Sequence, residues 1–158
     1  MSMEKFFEWF GNWPVSLYIR ESTWIFAYIQ AIHLVAVAVF FGSVLIVDLR
    51  LLGRGMKERP IAHVAADAWP WFKWSFLALL VTGIPQMMSN SSREYYSPYF
   101  WFKMYVMVIA LIFAFTLRRR VTMADEARVG PVWGKVVGFA SIVMWFAVAI
   151  PARLIGLL

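Results

Sequence analysis

Of the two histidines in this chain, His33 stands inside an apolar run, residues 23–47, that contains no Asp, Glu, Lys or Arg. A helix of that length can cross the hydrocarbon core of a bilayer. An ionisable side chain at membrane depth is costly, so it marks a functional-site candidate. Imidazole is also a common ligand of metals and of haem iron. The second candidate is Lys103, near the outer end of the apolar segment YFWFKMYVMVIALIF. His33 lies ~15 Å in from Thr23 and Lys103 ~6 Å in from Tyr99, by the helical rise. If the two helices run parallel, their Cα atoms differ in depth by ~9 Å, much of which a lysine stem covers. An imidazole and an amine on facing helices could together ligate a haem iron. The alternative is that Lys103 snorkels outward and His33 bonds a backbone carbonyl or Gln30.

Residues on the face of His33 are Phe26, Ile29, Gln30, Ala36, Val37 and Phe40. Ala36 leaves room for a flat macrocycle, and Gln30 could orient the second imidazole nitrogen. Phe100, Met107 and Ala110 stand opposite; the same residues suit an ordinary core. Arg153, in IPARLIGLL, could pair with a propionate or anchor a lipid headgroup. His63 is the tempting second haem ligand, but ~28 Å of helix separates its level from that of His33. Lys73 reads as a snorkelling residue, and Asp48 with Arg50 as an interfacial ion pair or loop contact. Paired intramembrane carboxylates, a Gly-rich phosphate loop and the HExxH and GxSxG patterns do not occur.

These residues must be positioned by membrane helices. The chain is 62% hydrophobic and 15% charged, against roughly 25% charge in a soluble domain. Its apolar runs are continuous rather than alternating, which argues against a barrel. The absence of cysteine excludes disulfides, iron–sulfur clusters and thiolate ligation. The net charge of +6 comes from basic residues flanking apolar segments, so it sets topology rather than pointing to nucleic acid. The N-terminus, with Glu4 and Glu8, lacks a signal-peptide pattern.

One all-α domain is expected over residues 1–158: an amphipathic interfacial helix at about 3–20 and an up-down bundle of four membrane helices at about 23–52, 69–88, 99–117 and 132–154. Ser22 is the expected N-cap of the first. Gly134 and Gly138 form a GxxxG step suited to close packing. Nine basic residues in the first and third loops face four on the other side, which predicts cytoplasmic loops one and three and outward termini. In a bacterial inner membrane, outward means periplasm.

The segments QAIHLVAVAVFFGSVLIVDLRLLG, SREYYSPYFWFKMYVM and AIPARLIGLL resemble a group of small, uncharacterised bacterial four-helix membrane proteins with an AxH…G…DxRLLG pattern. More distantly, the layout is similar to the HemJ-type protoporphyrinogen oxidases. That resemblance implies haem b held by a histidine of the first helix, here His33, and by the lysine of a W..K motif in the third, here Lys103, which follows Trp101 with one residue between them rather than two. The first helix departs from the HemJ-type pattern at its end, FFGSVLIVDLRLLG.

The leading expectation is a membrane haem b protein that transfers electrons or oxidises a porphyrinogen, with a quinone or membrane redox partner. The alternative is a cofactor-free structural or accessory subunit of a larger membrane complex; the partners expected are the lipid bilayer and a homo-oligomer or larger complex. A transporter is disfavoured, because only Ser43 is polar between Phe40 and Val47 on helix one.

Overall fold

A computed structural model describes residues 2–124 and 126–155, and those residues are helical with short connections. The order is α1 (Met3–Gly11), α2 (Pro14–Glu21), α3 (Thr23–Leu51), α4 (Ile61–Ser89), α5 (Ser91–Tyr96), α6 (Pro98–Phe113), a π turn (Ala114–Arg118), α7 (Arg119–Met123), α8 (Glu126–Val129) and α9 (Pro131–Ile155). Ser22 caps α3, accepting from Ile25 N at 3.3 Å. The expected amphipathic helix over 3–20 is two helices. Pro14 starts the second at its N1 position, where a missing N–H costs nothing.

Three helices are long and apolar enough to cross a membrane: Thr23–Leu51, the run Pro98–Met123 through the π turn, and Pro131–Ile155. They suggest a bilayer environment. The expected fourth span falls in α4, which has the length, at 29 residues. It is not among the three, because Lys73, Gln86, Pro70, Pro85 and several Trp lower its hydropathy. It also begins earlier than expected: the stretch after Pro60 is its first turns. α3 packs along α4 on one side and α9 on the other, and α9 packs against α6.

Buried residues of α3 recur at Ala36, Phe40, Ser43, Val44, Val47, Asp48 and Leu51. That i, i+4, i+7 spacing forms one stripe. Phe40 lies 4.7 Å from Trp145 and 5.0 Å from Phe72 between ring centroids. Ala110 and Ala114 leave the space these rings fill. A Cβ on Gly138 would stand 3.0 Å from Asp48 O, so the glycine lets α9 press on α3, as the GxxxG spacing predicts.

The other ends of the long helices are looser. No α3 residue from Thr23 to Val35 is buried, and none of α6 from Trp101 to Ile109. The helix pair α1–α2 folds across this end. Phe7 sits against Tyr95, Phe100 and Trp101. Tyr96 donates to Glu4 Oε1 at 2.7 Å, and Gly11 lies against Ser91 with no room for a methyl group.

Candidate functional site

His33 turns towards α4, where its Nδ1 is 2.8 Å from Thr82 Oγ1. A threonine hydroxyl has one proton to give, and Thr82 gives it to Ala78 O at 2.6 Å. With its proton on Ala78 O, Thr82 accepts from His33 in the tautomer that carries the imidazole proton on Nδ1. Nε2 is left with its lone pair. Ligating histidines are held in this way, through a bond donated by the other nitrogen. Gly83 leaves space beside the ring, since a Cβ there would meet His33 Cε1 at an ordinary 3.5 Å. Gln30 is half-buried one turn earlier on the same face. The ring bonds Thr82, however, and neither Gln30 nor a backbone carbonyl.

Lys103 points its Nζ over the Phe100 ring, 5.9 Å from the centroid. It lies within electrostatic reach of both His33 and Glu94. Glu94, on α5, is a member that the sequence reading missed. Burial pushes its carboxyl above the ordinary range, and the charge of Lys103 partly offsets this. Its signal was present: it is the only acid in the short segment that leads into α6. The loose end of the fold thus gathers His33, Lys103 and Glu94. Arg153 is exposed near the end of α9. Among the described residues, no contact ties it to this group.

A second polar group lies at the tight end. Arg118 donates from Nε to Asp48 Oδ1 at 2.8 Å and from Nη2 to Val44 O at 3.1 Å. Asp48 is 0% exposed and Arg118 7%. The Ser141 hydroxyl lies close to Asp48. Neither Ser141 Oγ nor Asp48 Oδ2 has a formed hydrogen bond among the described residues. The expectation of an Asp48–Arg50 ion pair is therefore corrected, while its alternative, a loop contact, holds for Arg50. Residues two apart on a helix point to opposite sides, and Arg50 Nε instead donates to Arg59 O at 2.8 Å.

His63 is exposed in the first turn of α4. The α4 residue that meets His33 is Thr82, ~28 Å further along the helix. The two histidines are separate, as helix length predicts. Lys73 is exposed, with its Nζ 5.9 Å from the Trp69 centroid. Among the described residues, no group of three or more His, Cys, Asp or Glu is arranged to hold a metal ion.

Residues 6–158 match a family described as a family of unknown function, DUF6644. The chain belongs to this family. The expected resemblance to an uncharacterised family thus extends over nearly its whole length. DUF6644 membership carries no link to the HemJ-type oxidases. No curated protein and no solved structure matches the chain.

Proposed function

We propose that this DUF6644 protein is a membrane-embedded haem b protein with a redox role, and that His33 Nε2 is the axial ligand. One observation carries the reading: the His33–Thr82 bond suits the tautomer that leaves Nε2 unprotonated, in the half of the molecule where α3 and α6 are loosely packed. Lys103 fits less well as a second iron ligand. An amine gives up its proton to bind iron, and Glu94 stands nearby as a counter-charge. Lys103 suits a propionate or a proton-transfer step better. Arg153, exposed at the same end, is a weaker propionate partner. Bound haem would supply one-electron chemistry, with a quinone-like acceptor in the bilayer. In the same reading α4 is the fourth span of an up-down bundle in a bacterial inner membrane, with both termini periplasmic.

The test is an absorbance spectrum, oxidised and reduced, of protein expressed with ample haem. A Soret band lost in His33→Ala is expected. Thr82→Val should weaken haem affinity by about 10–100-fold. A colourless wild type, or an unchanged band in His33→Ala, refutes the proposal. The exposed Trp9 and Trp13 on the N-terminal arm favour a second reading, a cofactor-free subunit docked in a larger complex. Colourless protein that purifies only with partners would support it.

A further inference from the structure

The tight end of the fold contains a cavity of about 170 Å³ between α3, α4 and the π turn. Its wall includes Ser43, Ala65, Trp69, Ala114, Arg118 and Arg119. We propose that this cavity binds the phosphate ester of an apolar-bodied ligand, the chemistry of an anionic phospholipid headgroup.

The argument begins with Arg118, which is 7% exposed. A guanidinium has five N–H groups. Among the described residues, Asp48 Oδ1 and Val44 O take two of them, and the side chain forms part of the cavity wall. Arg119 stands at the rim with its guanidinium 4.1 Å from the Trp69 centroid. Asp48 balances one of these two charges. Among the described residues none lining the cavity is acidic, which leaves the other charge for a ligand. Neighbouring Asp67 is engaged by Arg59 at 3.1 Å. Paired planar forks suit a phosphate.

Apart from Ser43 and Thr122 the remaining wall is apolar, with Ala65, Trp69 and Ala114 beside the arginines. A site with one cationic and one apolar side selects an amphiphile over a free ion. Size agrees. A dry cavity of about 150 Å³ takes a benzene, so this one takes a phosphate and its first ester carbons but not a porphyrin. The site is therefore independent of the His33 group. Basic pockets between membrane helices are a known form of lipid headgroup site. The π turn contributes as well, since single wide turns are frequent at functional sites. This one ends on Arg118.

The test uses the full chain in mild detergent, stripped of lipid. It is titrated with dioleoylphosphatidylglycerol, dioleoylphosphatidylcholine or inorganic phosphate, and followed by native mass spectrometry and thermal unfolding. Phosphatidylglycerol is expected to bind as a single molecule per chain and raise the unfolding temperature; phosphatidylcholine should bind far more weakly. Arg119→Gln, at the surface, should weaken phosphatidylglycerol binding about tenfold. Ala65→Phe, which fills the cavity and removes no charge, should abolish binding. Competition by millimolar inorganic phosphate would support the phosphate chemistry and point to a soluble phosphate ester. Its absence would support the lipid form. Equal binding of the two lipids overturns the proposal, as does full affinity in Arg119→Gln. If Ala65→Phe does not fold, Arg119→Gln alone decides.

Discussion

Both ends of the long helices hold a basic group near an acid, Lys103 near Glu94 and Arg118 on Asp48, but the packing around them differs. Asp48 and Arg118 are enclosed by the α3 stripe, by α9 pressed in at Gly138 and by a core of Phe40, Phe72 and Trp145. His33, Lys103 and Glu94 sit only half-buried, between helix stretches with no fully buried residue on α3 or α6. A polar group that is fully enclosed and bonded mostly fixes how helices dock. One that is half-buried between loosely packed helices is held less firmly. The same chemical vocabulary therefore forms a clamp beside the cavity at one end and a loosely packed group at the other.

The comparison breaks most sharply at the clamp. Arg118→Leu should cost about 3–5 kcal/mol, because it leaves the Asp48 carboxylate buried and unpaired. Replacing both residues with leucine should restore much of that loss. Unfolding in graded denaturant reads both, and a double variant as damaged as the single would show that the pair stabilises more than it constrains. Glycines probe the packing itself. Gly138→Ala should cost about 1–3 kcal/mol through overpacking against Asp48 O and Leu51. Gly83→Ala, with 3.5 Å to His33, should be neutral or stabilise by up to about 1 kcal/mol through helix propensity. The reverse order in thermal unfolding would contradict the division into a tight and a loose half.

The smallest effect concerns the arm over the loose end. The hydrogen bond from Tyr96 to Glu4 raises the Tyr96 pKa, and the Glu4 charge adds to this. For a group raised on folding, the contribution is complete below the unfolded phenol value of about 10. It is lost as pH rises through the higher folded value. Docking of α1 should therefore weaken in strongly alkaline solution. Limited proteolysis of the arm would follow it, and an equal alkaline step in Tyr96→Phe would exclude this bond as its cause.

Much of the frame was legible in the residues. Apolar runs and the Ser22 cap placed α3 to within a residue. Gly134 and Gly138 announced the close approach of α9. His33 was legible as a half-buried interior group, because charge is scarce around it. The clamp was not. Arg118 belongs to a run of three arginines that reads as a topology signal, and composition does not disclose a π turn. Asp48 was misassigned to Arg50 because proximity in sequence outweighed helical phase; the stripe Phe40, Val44, Val47, Leu51 already put Asp48 inside. Thr82 was hidden because nothing on one helix tells which residue of another will meet it.

Arg118, Arg119 and Arg120 are chemically identical and successive, each about 100° further around the axis. The wide turn holds one residue more than an α turn and so sets where that rotation starts. It sends the first arginine to an internal carboxylate, the second over the Trp69 ring at the rim, and the third into the open. Backbone phase thus acts as an address, giving three copies of one side chain three different destinations.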